Sequence, residues 1–265
     1  MWRGLSPASR PSTSSPEGEK VHKVLASAGV ASRRRAEALV LAGRVRVNGA
    51  VAVVGQRVDV RRDHLSIDGV PVGVAPRRYR VVLYKPPGVI STASDPQGRP
   101  TVVDLVDLPA RLYPVGRLDA ESEGLLVLTN DGALAEVLTH ARYGIEKTYV
   151  VVVDQEPTPG QLRALREGVE LEDGPARARR VAPVGERALR LVLVEGRNRE
   201  VRRMLAAVGL STERLVRTRI GPIGDARLSA GMWRSLRSDE LQAIWAQASG
   251  QAGPRFGQPW PKPPR

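Results

Sequence analysis

The stretch Tyr113-Pro114-Val115-Gly116-Arg117-Leu118-Asp119 is followed by Glu121, Glu123-Gly124 and the apolar run Leu125-Leu126-Val127-Leu128-Thr129-Asn130-Asp131-Gly132. The run is short, unbroken and closed by turn residues, which predicts an apolar strand over Leu125–Leu128. A strand held that firmly can fix the residue just ahead of it. Asp119 is therefore a candidate nucleophile, base or metal ligand. The plain reading of an aspartate in such a loop is a turn residue bonding its own backbone.

Downstream, strands are expected at Thr148–Val153, Ala176–Val181, Ala188–Val194 and Arg214–Ile220. Upstream there is one at Tyr79–Tyr84. Leu189, Leu191 and Leu193 alternate with other residues, giving that strand a strongly apolar face. Helices are expected at Ala133–Leu138, Pro159–Glu167, Asn198–Val208 and Asp239–Ala248. Strands dominate and do not alternate regularly with helices. The pattern predicts an α+β fold, with a mixed, mostly antiparallel sheet in this domain, rather than a parallel doubly wound one.

The N-terminal part reads as a separate small α/β domain over residues 19–69. A helix is expected at Lys20–Ala28, ended by Gly29. A second follows at Arg33–Leu41, capped by Ser32 and closed by Gly43. Val45 and Val47 then alternate with Arg44 and Arg46, and Asn48-Gly49 is a strong hairpin signal. Short strands follow near Val51–Val54 and Leu65–Ile67, with Asp68-Gly69 as the next turn. A joint at Val70–Pro76 leads to the second domain, expected over 77–248. Residues 1–18 and 249–265 are poor in core residues and are expected to be disordered tails. Trp260, in the second tail, reads as solvated.

Composition narrows the function. The chain has 265 residues, with 41 Lys plus Arg against 28 Asp plus Glu, a formal net charge of +13. Such a charge points to a polyanionic partner. There is no cysteine, which excludes disulfides and cysteine-ligated zinc. His22, His64 and His140 are scattered and form no metal-ligand spacing, so no metal is expected. No apolar run approaches a membrane span and the N-terminus lacks a signal-peptide core. A cytoplasmic protein with no membrane association is expected. In the first domain, the backbone N–H groups that open the second helix favour phosphate, and Arg33, Arg34 and Arg35 add charge there. A solvated charged face is the plain alternative.

The segments Ala28-Gly29-Val30-Ala31-Ser32-Arg33-Arg34-Arg35-Ala36-Glu37 and Gly43-Arg44-Val45-Arg46-Val47-Asn48-Gly49 occur in order. Over about Glu19–Val60 they resemble the ribosomal "S-four" RNA-binding domain. That resemblance makes Arg33, Arg34, Arg35, Arg44 and Arg46 the candidate RNA contacts. In the second domain the ordered motifs are Tyr84-Lys85-Pro86-Pro87-Gly88-Val89, Tyr113–Asp119, Glu146-Lys147-Thr148-Tyr149 and Glu195-Gly196-Arg197-Asn198-Arg199-Glu200-Val201-Arg202-Arg203-Met204. Leu215-Val216-Arg217 and Ile220-Gly221-Pro222 come last. Over about Arg80–Gln247 these are similar to the bacterial ribosomal-RNA pseudouridine synthases of the RsuA/RluB type.

That resemblance implies an isomerase that breaks the N1–C1′ bond of a uridine, turns the base and rejoins it through C5. Nothing is oxidised or added, so no cofactor is expected, and the chain holds no P-loop or strand-linked dinucleotide fingerprint. It assigns the catalytic carboxylate to Asp119. Attack on C1′, addition to C6 and a glycal route all stay open. A working carboxylate must be ionised, which a neighbouring cation favours. The resemblance puts that cation at Arg202, and the periodicity agrees: Val201, Met204, Leu205 and Val208 share one face, with Arg199, Arg202 and Arg203 to its side. It also implies that Tyr149 stacks on the target base, that Arg117 fills the gap left by the extruded base and that Leu215 lies near the uracil. Read alone, Tyr149 and Leu215 are core residues of strands and Arg117 a phosphate contact. Glu121 and Glu123 with Asp119 could mimic a glycosidase pair, which the strong positive charge disfavours.

The expected function is thus an rRNA uridine isomerase, with 23S rRNA as the target and a monomer acting on rRNA or a ribosomal assembly particle. The segment Asp95-Pro96-Gln97-Gly98-Arg99-Pro100-Thr101-Val102 resembles the large-subunit members more than the small-subunit one. The rivals are a 16S target and a non-catalytic RNA-binding protein of ribosome assembly that retains the fold.

Overall fold

The computed structural model describes residues 18–73 and 77–250. The tails expected to be disordered, and Trp260 with them, lie outside the described residues, except for Gly18, Ser249 and Gly250 at their inner ends. The chain divides into two compact units, Met1–Arg78 and Tyr79–Arg265.

The first unit is built from two helices, Val21–Ser27 and Arg33–Leu41. Its four-stranded sheet runs, from edge to edge, Ala50–Val51, Val45–Val47, Leu65–Ile67 and Val70–Pro71. Ser32 caps the second helix by accepting from the Arg35 N–H at 3.3 Å. Val21, Val24, Leu25, Ala36, Val40, Val45 and Val47 form its core. Asn48 and Gly49 both take positive φ in the hairpin, as an Asn-Gly turn requires. The strand expected at Val51–Val54 stops at Val51. There the chain turns through Gly55 at φ +83°, and the Gln56 N–H bonds to the Val53 carbonyl.

The second unit is organised on a nine-stranded sheet. Its main path runs Arg180–Gly185, Ala188–Leu193, Lys147–Val153, Thr212–Ile220, Glu123–Thr129, Arg80–Lys85 and Trp233–Ser235. Pairings are antiparallel except between Thr212–Ile220 and Glu123–Thr129. The short strand Tyr113–Val115 is not expected from sequence, because Pro114 argues against a strand; it survives by pairing on one side only, along Val127–Thr129. The expected strand Ala176–Val181 is instead two. Gly174–Ala176 pairs with Val169–Leu171, and Arg180–Gly185 joins the large sheet.

One edge of Glu123–Thr129 thus has two successive neighbours. Its start pairs with Val216 and Arg217, its end with Tyr113–Val115. Gly124 sits at this change of partner with φ +107°, and a Cβ there would lie 2.3 Å from the Arg217 carbonyl oxygen. Only glycine permits so close an approach of two strands. Apolar clusters pack on both faces of the sheet. Leu126, Leu128 and Val81 belong to one, Leu125, Val127 and Val82 to another.

Candidate active site

The loop 116–122 leaves Tyr113–Val115 and enters Glu123–Thr129, so it spans the place where the sheet edge changes neighbours. Three groups hold it. Leu118 is buried, and the Ser91 hydroxyl donates to its carbonyl at 2.7 Å and accepts from its N–H at 3.1 Å. Lys85 is wholly buried and donates to the carbonyls of Pro86 at 2.9 Å, Ala120 at 3.1 Å and Ser122 at 2.8 Å. The Ser122 N–H closes a turn onto the Asp119 carbonyl at 3.1 Å. Burial pushes the Lys85 ammonium down to about 8, against the opposing pull of Asp119, Glu121 and Glu123. Lys85 and Ser91 are loop-fixing residues that the sequence alone does not reveal. Lys85 lies within one of the ordered motifs, but nothing local says that it turns inward.

Asp119 is left with its carboxylate at the wall of a cavity of about 360 Å³, within the size range of small-molecule sites. Two guanidinium groups face it. Arg202 Nε is 3.7 Å from Oδ2, and Arg199 Nη1 is 3.8 Å from the same atom. Arg202 also lies 3.6 Å from Glu121, and Arg199 pairs with Glu121 at 2.5 Å. The Glu121 carboxyl is held below its ordinary value, first by its own backbone amide and then by the Arg199 hydrogen bond. Glu121 and Glu123 are thus spoken for: Glu123 binds Arg214 at 2.6 Å and accepts from the Tyr84 hydroxyl at 3.2 Å.

Arg199 owes its position to its backbone. It takes φ +47°, so the helix expected from Asn198 begins only at Glu200. The three arginines on the flank of this helix are sorted by the fold. Arg199 and Arg202 face Asp119, whereas Arg203 pairs with Asp173 at 2.8 Å, away from it.

Tyr149 and Leu215 both line the cavity and both pack in the apolar cluster behind it. The core reading and a place on the cavity wall are therefore compatible. Arg117 is exposed and lines the cavity as well. Four further charged residues line it that sequence reasoning misses: Lys147, Arg197, Glu200 and Arg217. Burial brings Lys147 down to about 8, with Arg217 adding to the effect. Burial also brings Glu200 up to about 7. Its Oε2 accepts from the Arg197 N–H at 3.0 Å while Oε1 has no partner among the described residues.

In the first unit, Arg33, Arg34 and Arg35 are exposed at the start of their helix and make no ion pair among the described residues. Arg44 is bound to Asp68 through a bidentate contact, and Arg46 donates to the Gly49 carbonyl at 2.8 Å. The sequence groups these five arginines; the structure leaves the first three unoccupied.

Known proteins resemble this chain over both units. Residues 79–207 match the RNA pseudouridylate synthase family, and residues 19–65 match the S4 domain. The chain belongs to the RNA pseudouridine synthases, isomerases that convert uridine in RNA to pseudouridine. Within that family it is 44% identical over 244 residues to an RNA pseudouridine synthase of Mycobacterium tuberculosis, covering 89% of this chain and 96% of the relative. It is 41% identical over 238 residues to the ribosomal large subunit pseudouridine synthase B of Bacillus subtilis, covering 87% and 97%. A crystal structure of a pseudouridylate synthase superposes with a TM-score of 0.63 at 27% identity, over 85% of this chain and 99% of that one. Among the described residues no helix is long and apolar enough to cross a membrane.

Proposed function

We propose that this enzyme modifies 23S ribosomal RNA, free or within an assembly particle, as a cytoplasmic monomer with a part in ribosome biogenesis. Asp119 is its catalytic carboxylate. The observation that carries the catalytic assignment is that Asp119 faces Arg202 and Arg199 at the wall of the 360 Å³ cavity. The RNA target rests on relatives named ribosomal large subunit pseudouridine synthase B.

A uridine turned out of its strand enters the cavity with its base against Tyr149 and Leu215, which supply a ring and an apolar wall. Arg117, exposed beside Asp119, occupies the space that the base vacates. Asp119 is presented to the sugar and base by a loop that Lys85 and Ser91 hold rigid, so little reorganisation is needed at the moment of reaction. Arg202, less exposed than Arg199, pairs with the carboxylate and orients it. All three routes, through C1′, C6 or a glycal, use the same carboxylate. The first unit grips RNA through Arg33, Arg34 and Arg35, with Arg44 and Arg46 beside them shaping the hairpin.

Mapping pseudouridine in 23S and 16S rRNA from a deletion strain, with and without a complementing Asp119→Asn gene, tests this reading. One 23S position should lose its modification on deletion and fail to regain it with the variant. A lost 16S position would overturn the RNA assignment, and restoration by Asp119→Asn would overturn the catalytic one.

A further inference from the structure

Arg217 is the least explained charge in the second unit. It is 4% exposed, yet among the described residues no carboxylate forms an ion pair with it. Its Nε donates to the Leu125 carbonyl at 2.7 Å and its Nη1 to the Arg117 carbonyl at 3.4 Å. Its Nη2 is buried and has no partner among the described residues. A guanidinium out of water with an unused donor is costly unless something anionic completes it.

Position says what that is. Arg217 stands opposite Tyr149 in the antiparallel pair, and Leu215 stands opposite Val151. Cross-strand partners, and residues two apart on a strand, share a face. Tyr149, Leu215 and Arg217 therefore lie on one face of the sheet, the face that lines the cavity. Lys147, two residues before Tyr149, is on it too, with Nζ donating to the Val194 carbonyl at 3.2 Å. Two other cations of the cavity wall, Arg117 and Arg199, are more exposed and suit strongly hydrated phosphates. Arg217 lies instead where the apolar wall for the base lies.

The chemistry calls for a cation there. When the N1–C1′ bond breaks, its electron pair stays with the base, as a uracil anion whose charge spreads over N1 and the two carbonyl oxygens. Rejoining uses an electron pair at C5 to bond C1′. The C5 proton then leaves and N1 gains one, so atoms and electrons balance without any co-reactant. The anion exists only between the two steps, and a fixed, water-excluded cation beside it lowers the barrier without strengthening ground-state binding.

We infer that Arg217, supported by Lys147, is a catalytic residue whose fixed positive charge at the cavity wall stabilises the detached uracil anion. The proposal rests on uridine isomerisation in this cavity.

The test compares two transcripts of the rRNA segment that mapping identifies, one with uridine and one with 5-fluorouridine at the target position. Fluorine withdraws electrons and makes the detached base a weaker base, less dependent on outside stabilisation. Loss of the original N1–C1′ linkage is followed in single turnover at saturating enzyme, with dissociation constants measured in parallel. Arg217→Gln should slow uridine by about 10²- to 10³-fold, the scale for losing one preorganised donor. It should slow fluorouridine clearly less and change binding little. Arg217→Lys keeps the charge and loses the fork; it should slow uridine less than Gln does, and still more than it slows fluorouridine. It carries the comparison alone if the Gln variant does not fold. Equal slowing of both substrates would overturn the proposal, as would weaker, less salt-sensitive binding with an unchanged rate, which marks a phosphate contact. An inactive wild-type enzyme would instead show that the functional reading is at fault.

Discussion

The arginines of the first unit and those around the cavity of the second place the same side chain in different settings. Arg33, Arg34 and Arg35 are exposed at a helix start and engage no carboxylate among the described residues. Arg202 and Arg217 are held by Asp119, Glu121, Ser122 and the Leu125 carbonyl. Exposed charges attract a polyanion over a long range and are screened by salt. Fixed, partly buried charges act at one point, where charge develops. The net charge of +13 is thus two quantities, exposed arginines that the proposal assigns to RNA affinity and held ones that it assigns to chemistry.

That division can be broken in several ways. The largest expected effect is that of Asp119→Asn, which should lower the single-turnover rate by about 10⁴- to 10⁶-fold, the scale for removing a reacting group. RNA affinity should stay within a few-fold, as a quenched-flow assay paired with a filter-binding titration would show. Next comes Arg202→Leu, expected to reduce kcat by about 10²- to 10³-fold with little change in affinity. Arg202→Lys should recover part of the loss, because the charge is what matters. If Arg202→Leu weakened binding and spared kcat, the residue would belong with the first group of arginines.

A smaller effect is expected from replacing Arg33, Arg34 and Arg35 together with Gln. The slope of log affinity against log salt should flatten by about 0.7 to 0.9 for each phosphate no longer neutralised, with the single-turnover rate at saturation preserved. An unaltered slope would remove the first unit from RNA binding.

The smallest effect concerns stability. Lys85 and Lys147 titrate near 8 in the folded enzyme and near 10.4 when unfolded. Below about pH 8 both states carry the protons, and the cost of burying these cations is fully present. Between the two values the unfolded chain binds protons that the folded one has shed, so these groups make stability rise with pH in that window. Urea melts from pH 7 to 10 should show this contribution, and Lys147→Met should flatten it. An unchanged pH profile in the variant would mean that Lys147 is solvated.

Much of this is legible in the sequence where the signals are local. The helices Arg33–Leu41 and Pro159–Glu167 begin and end where expected. Ser32 caps one, and Thr158, Pro159 and Gln161 cap the other with a capping box. Ordered motifs single out Asp119, Tyr149, Leu215 and Arg117, and all four line one cavity. What is not legible depends on register and on backbone outliers. No local pattern announces that Arg199 takes a left-handed φ, although this starts the helix late and turns the side chain to Asp119. Nor does any say that Arg217 faces Tyr149, because a shift of one residue between two strands would send it to the opposite face. Lys85 is hidden for a third reason: a lysine is ordinarily exposed, and only the tertiary fold supplies the Ala120 and Ser122 carbonyls that hold it.

The most direct test of the central claim puts both groups of residues in one experiment. Single-turnover rate and salt slope are measured for the wild type, for Asp119→Asn, and for the Arg33, Arg34 and Arg35 triple variant, on the same rRNA segment. The account predicts that Asp119→Asn loses the rate and keeps the slope, while the triple variant keeps the rate and loses slope. An Asp119→Asn enzyme that turns over near the wild-type rate, or two variants that lose rate and slope together, would contradict it.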